Sequence, residues 1–144
     1  MKSILLFITL LCALTLSNSL VPSVSNAATA AKKDRAMMRF SEPVKLMGVT
    51  LKGDYLFVHD DEALGRGEEC TFVYRGPAEI RQQLVVSFHC TPTERAKASH
   101  FTVRTQQLFP GQSEITEYQF AGSTAGHMVP TSQHAGHFTI AGLD

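Results

Sequence analysis

The residues with the widest chemical scope in this sequence are its six histidines: His59, His89, His100, His127, His134 and His137. A neutral imidazole ligates metals and exchanges protons near pH 7. His59 ends an apolar run and is followed by Asp60, Asp61 and Glu62. His89 adjoins Cys90, and His127 lies in Gly126-His127-Met128. His59, His89 and His127 with Asp60 or Asp61 offer the ligand types that zinc or copper accept. The competing reading makes them surface residues at strand ends, bonded to backbone or carboxylate. His134-Ala135-Gly136-His137 has an i, i+3 spacing that a helix would align on one face, but Gly136 argues for a loop.

Other candidate chemistry fails on spacing. The acidic stretch 60–69 has calcium-type ligands but not the EF-hand order. Asp60 instead suits the cap of a single helical turn that Gly65 ends. Gly122-Ser123-Thr124-Ala125-Gly126 is not a nucleophile elbow, and Ser123 reads as a turn residue. There is no P-loop, dinucleotide fingerprint, zincin helix or C-x-x-C-H haem site. No catalytic residue is assigned.

The cysteines depend on compartment. Lys2 precedes an apolar run from Ile4 to Leu16, and small residues surround Ala27. This is the pattern of a signal peptide over residues 1–27, with cleavage after Ala27 and periplasmic or secreted export. The run is too short to span a bilayer comfortably, and no later run is long enough for a membrane span. Cleavage removes Cys12, leaving Cys70 and Cys90, and an even count in an exported chain points to a disulfide. The alternative is a pair of metal-ligating or redox thiols, although no C-x-x-C pair exists.

The elements that must position these residues read as strands. Cys70 to Arg75 and Leu84 to Cys90 alternate and are rich in β-formers, with the turn-forming stretch 76–83 between them. Setting Cys70 opposite Cys90 pairs Phe72 with Phe88 and Tyr74 with Val86, all on the cysteine face. Thr71, Val73, Arg75 and His89 then face out. Bridging that loop stabilises by roughly 3 kcal/mol in the chain-entropy model.

Residues 28–35 read as a flexible lead-in, and 36–144 as one domain. Met37–Phe40, Val44–Met47, Val49–Leu51 and Tyr55–His59 are separate strand candidates, with Pro43 at a strand start or edge and Gly48 and Gly53-Asp54 as turns. Leu51, Tyr55, Phe57 and His59 share one parity. The segment 92–98 reads as a loop or short helix. Strands follow at 100–105, with Phe101 and Val103 inward, and at 114–120, with Tyr118 and Phe120 in the core. The tail holds one or two weak strands. Six to eight short strands without a long helical segment give an all-β fold, a small antiparallel sandwich or barrel-like domain with one disulfide-linked hairpin.

Lys+Arg and Asp+Glu both total 13, and loss of Lys2 leaves one net negative charge. There is no basic excess for binding nucleic acid. At 44% hydrophobic residues the chain is too apolar for a disordered protein of such low net charge. An outer face of Arg75, His89 and Thr71, extended by Arg104 and His100, suits an anionic ligand or a partner, or is simply solvated.

Phe40-Ser41-Glu42-Pro43-Val44 and the pattern Gly48, Leu51, Gly53, Tyr55, Phe57 resemble small exported proteins of soil bacteria such as acidobacteria. His59-Asp60-Asp61-Glu62, Gly67-Glu68-x-Cys70, Phe88-His89-Cys90 and Gln119 to Ser123 resemble one branch of them. Met47 and Lys52 depart from the pattern of the broader group. The resemblance implies a secreted β-rich domain and transfers no activity. The expected function is non-enzymatic binding of an envelope or extracellular ligand or partner. The alternative is a metal-binding protein or small metal-dependent enzyme with a histidine-centred site.

Overall fold

A hairpin forms where two consecutive residues accept positive φ between alternating apolar strands. Met47 (φ 51°) and Gly48 (φ 83°) do so between Leu46 and Val49, which pair directly. The computed structural model describes residues 32–130 and 138–140, and it builds the longest pairing of the fold on that turn. Strand β1 (Lys33–Leu46) runs antiparallel to β2 (Val49–Asp60) from Leu46–Val49 to Lys33–Asp60. Residues 1–31, 131–137 and 141–144, and with them the cleavage site, His134 and His137, lie outside the described residues.

The separate early strands expected from sequence are thus two long ones. Pro43 falls in the irregularity between Phe40 and Val44, where its missing N–H leaves no ladder bond unmade. Gly53 (φ 99°) lets β2 continue through what reads as a turn. Lys33 to Arg35, expected in the flexible lead-in, already pair with β2.

The chain continues through a one-turn helix α1 (Asp61–Gly65), then β3 (Thr71–Arg75), β4 (Leu84–Phe88), β5 (Thr91–Glu94), β6 (Thr102–Phe109), β7 (Gln112–Gln119), β8 (Ala125–Met128) and β9 (Phe138–Ile140). The segment read as a loop or helix at 92–98 therefore begins in a strand. The strands form one sheet in the order β5-β8-β7-β1-β2-β3-β4-β9, with β6 paired to β7. Among the described residues the strands pair antiparallel, except for a two-residue parallel contact of β1 with β7 and an isolated parallel bridge of Tyr55 with Gly76. The fold is all-β as expected, but it is a single sheet curled into a half-barrel rather than two stacked sheets.

The curl follows from one short connection. Phe88 ends β4, Thr91 begins β5, and β4 and β5 lie far apart in the strand order. Only His89 and Cys90 join them, and three chain steps span at most about 11 Å. The sheet must bend until β5 and β8 approach β4. The concave face collects the core: Phe40, Leu46, Leu51, Tyr55, Phe57, Val73, Val86, Phe88, Ile115, Tyr118 and Phe120 are all buried there. Phe57 contacts Tyr118 and Phe101 at centroid distances of 5.7 and 5.3 Å.

The β3–β4 hairpin differs from expectation by one residue. Thr71 pairs with Phe88, Phe72 with Ser87 and Val73 with Val86, with an irregularity before Tyr74. Thr71 and Val73 face the core, while Phe72 and Tyr74 are half-buried on the other face. The neighbour β2 decides this. It pairs Phe57 with Val73 and His59 with Thr71, and its inward parity is the one the sequence showed. Cys70 and Cys90 flank the ladder rather than opposing each other within it. Their sulfurs lie 3.1 Å apart as free thiols, well beyond the roughly 2.05 Å of a disulfide.

Candidate metal centre

His59 is the last inward position of β2, so the alternation that buries Tyr55 and Phe57 also buries its imidazole completely. Asp60 then ends the strand. Its carboxylate accepts from the N–H of Glu62 (3.0 Å) and Ala63 (3.1 Å), capping α1 as the sequence suggested. Those hydrogen bonds, led by the one from Ala63, lower the Asp60 pKa. Asp60 is thus engaged as a cap through Oδ1 and is not among the grouped donor atoms. The helical turn carries Asp61 back over His59, with Oδ1 3.0 Å from Nε2. The contact is off the line of the ring N–H, so Nε2 has a charged neighbour without an aligned hydrogen bond.

From the other end of the sheet, β7 presents Tyr118 and β8 presents His127, which pair with each other in the ladder. Their rings stack at 4.9 Å with a 15° interplanar angle. The curl lays them over β2 and β3, bringing the His127 and His59 rings to 4.0 Å between centroids. Tyr118 Oη shares a short hydrogen bond with Thr71 Oγ1 and lies 3.4 Å from His59 Nδ1. This polar link ties opposite sides of the half-barrel together.

Cys90 sits on the two-residue crossing between β4 and β5, and so enters the same space. Its Sγ is 3.7 Å from His59 Nδ1 and 3.5 Å from His127 Nδ1. One donor atom from each of these three residues falls within 4.8 Å of the others, and all three residues are buried. A tetrahedral metal with M–S about 2.3 Å and M–N about 2.0–2.1 Å spaces its S···N pairs roughly 3.5 Å apart. The two S···N distances here fit that spacing. Cys70 adds a second sulfur beside Cys90, and the Cys90 N–H points at it from 3.3 Å.

The charges at His127 and Cys70 suit the role, while Cys90 must give up its thiol proton to ligate. Burial, assisted by neighbouring His59, lowers the His127 pKa to about 4, so at pH 7 this imidazole is neutral, the form that ligates. The Cys90 thiol hydrogen-bonds to Cys70, which favours the Cys70 thiolate and pushes Cys90 up. The pair thus holds one negative charge more readily than two. Burial raises the Tyr118 pKa well above its usual value, so the phenol stays neutral.

Of the expected trio, the structure brings together His59 and His127 but not His89. His89 is on the other side of the crossing, with Nδ1 bonded to the Glu68 carbonyl at 2.7 Å. The proposed ligand or partner face does not converge either. Arg75 is exposed at the end of β3, and His100 is exposed with Nδ1 3.0 Å from Ser99 Oγ. Arg104 is drawn to Glu117, which Arg95 also clamps through both carboxylate oxygens.

Sequence reasoning missed Cys90 as a co-donor with two histidines, because residues 59, 90 and 127 share no spacing motif. It also missed the Thr71–Tyr118 link. Comparison with protein-family models, with curated proteins and with solved structures finds no match to this chain.

Proposed function

We propose that this chain is an exported, non-enzymatic β-domain that holds one zinc or copper ion through His59, Cys90 and His127, with Cys70 as an adjacent fourth donor. Export rests on the N-terminal pattern of Lys2, the apolar run and the small residues around Ala27. The metal rests chiefly on one observation, the convergence of three buried ligand atoms from β2, β8 and the β4–β5 crossing. Buried polar groups cost free energy unless they are satisfied, and two imidazoles and two thiols clustered in an aromatic core are an expensive filling. A metal would engage His59, Cys90 and His127 at once, with Cys70 beside them. Two nitrogens and one or two sulfurs form a soft ligand set suited to zinc or copper, and unlike the oxygen-rich sets of magnesium or calcium. A second sulfur completing four protein donors would make a closed centre, as in structural and storage sites, without the open position of a catalytic zinc.

The test is metal content. Protein reduced and reconstituted with zinc or copper, then freed of loose metal, should retain one ion per chain. His59→Ala, Cys90→Ala and His127→Ala should each abolish retention. Folded, reduced parent protein that retains no metal would overturn the assignment.

A further inference from the structure

The metal centre leaves Cys70 and Cys90 unexplained as a pair. Their sulfurs stand 3.1 Å apart. A tetrahedral metal shared by both would hold them roughly 3.8 Å apart, while a disulfide would hold them about 2.05 Å apart. The observed spacing lies between the two arrangements. The backbones are already adjacent, since Cys70 N–H donates to the Phe88 carbonyl (3.2 Å) and Cys90 N–H to Cys70 Sγ (3.3 Å). Motion of the side chains alone separates one geometry from the other. Cys90 Sγ faces three partners at once: Cys70 Sγ, His59 Nδ1 and His127 Nδ1. It cannot serve a disulfide and a metal together.

Building on the metal assignment above, we propose that Cys70 and Cys90 are a reversible dithiol–disulfide couple that competes with the metal for Cys90, so the site holds either a metal or a disulfide. The oxidant is an organic disulfide. One cysteine thiolate attacks a sulfur of the oxidant, whose S–S bond breaks and releases one thiolate. The other cysteine thiolate then attacks the protein sulfur of this mixed disulfide, forming the Cys70–Cys90 bond and releasing the second thiolate. The two cysteines lose two electrons and two protons, and the oxidant becomes two thiols. Both sulfurs are fully buried, so exchange proceeds through local opening at the β4–β5 crossing. Afterwards only His59 and His127 are left as donors, too few to hold zinc.

The experiment equilibrates the full exported chain in buffers of varied reduced and oxidised glutathione, with and without zinc. Intact mass after thiol alkylation reads the disulfide, and metal analysis reads zinc. Reducing buffers should give two free thiols and one zinc, and oxidising buffers a Cys70–Cys90 disulfide and none. Free zinc at 100 times its Kd should raise about 100-fold the midpoint value of oxidised glutathione over the square of reduced glutathione. Cys70→Ser, which cannot form the internal disulfide, should lose the redox dependence and hold, in buffers that strip the parent, whatever zinc it holds in reducing buffer. Zinc held equally by the disulfide form, a midpoint unmoved by zinc, or no Cys70–Cys90 disulfide in any buffer would each overturn the competition. Reduced protein that takes up no zinc would overturn the metal assignment as well, a result distinguishable from the others by the absence of zinc at every ratio.

Discussion

Asp61 touches the centre only through His59, which makes it a sharp probe of how the site is held. Its carboxylate lies 3.0 Å from His59 Nε2 and is about half exposed, while His59 is fully buried. For Nδ1 to ligate a metal beside Cys90, the ring proton must sit on Nε2, and Asp61 is the acceptor within reach. Removing such a partner from a ligating histidine typically costs 10–100-fold in metal affinity, about 1.4–2.7 kcal/mol. The metal-free protein should respond little, because Asp61 is half exposed and its contact with His59 Nε2 is not an aligned hydrogen bond. At a free metal concentration of 100 times the parent Kd, metal stabilises the parent by about 2.7 kcal/mol. In Asp61→Ala at the same concentration that gain should shrink to between about 1.4 and about 0.4 kcal/mol. Asp61→Asn, which keeps an acceptor oxygen but loses the charge, should fall between the two. Competition with a chromophoric chelator gives the affinities, and urea unfolding of reduced protein with and without metal gives the stabilities. If Asp61→Ala binds metal as tightly as the parent, or loses its stability equally with and without metal, the positioning of His59 by Asp61 is refuted.

Three further outcomes follow from the same geometry. His89→Ala should leave metal stoichiometry unchanged, since the ring bonds the Glu68 carbonyl outside the cluster, and loss of metal in this variant would show that the crossing is wrongly placed. Gly126→Ala should destabilise by about 1–3 kcal/mol through overpacking, because a Cβ there meets Glu117 Oε1 at 2.8 Å and Arg95 Cγ at 3.0 Å; unchanged urea unfolding would contradict that packing. Glu117 has its pKa lowered by the Arg95 hydrogen bonds, so the unfolded chain binds its proton first. Its contribution should be complete above the ordinary carboxylate value of about 4.3 and lost as pH falls towards the lower folded value, with Glu117→Gln flattening that part of the acid-unfolding profile.

Much of what builds the site is written locally. The parity of Leu51, Tyr55, Phe57 and His59 marks one face of a strand, and all four are buried, although Leu56 and Val58 on the other face are buried as well. Asp60 before a short polar turn is a legible cap. Tyr118 and Phe120 stand out as core residues by alternation and size. The β3 strand was not legible in this way, because both of its faces carry β-formers: Phe72 and Tyr74 on one, Thr71 and Val73 on the other. The choice between them is made by pairing with β2, through Phe57–Val73 and His59–Thr71, which no local pattern reveals. The aromatic face was the natural but wrong selection, and the hairpin register moved by one residue with it. The centre itself was half legible. His59 and His127 were candidates by residue type, but their meeting with Cys90 depends on the curl imposed by the short β4–β5 crossing. That constraint appears only once the strand order is known, and it also explains why His89, adjacent in sequence, faces elsewhere.

The measurement that bears most directly on the metal centre is the absorption spectrum of the reduced protein titrated with cobalt(II), a spectroscopic stand-in for zinc. A site built from His59, His127 and Cys90 should saturate at one cobalt per chain. It should show intense tetrahedral ligand-field bands with a thiolate-to-cobalt charge-transfer band, and Cys90→Ser should lose the Cys90 share of the latter. A spectrum of weak octahedral cobalt, or a thiolate band undiminished in Cys90→Ser, would contradict it.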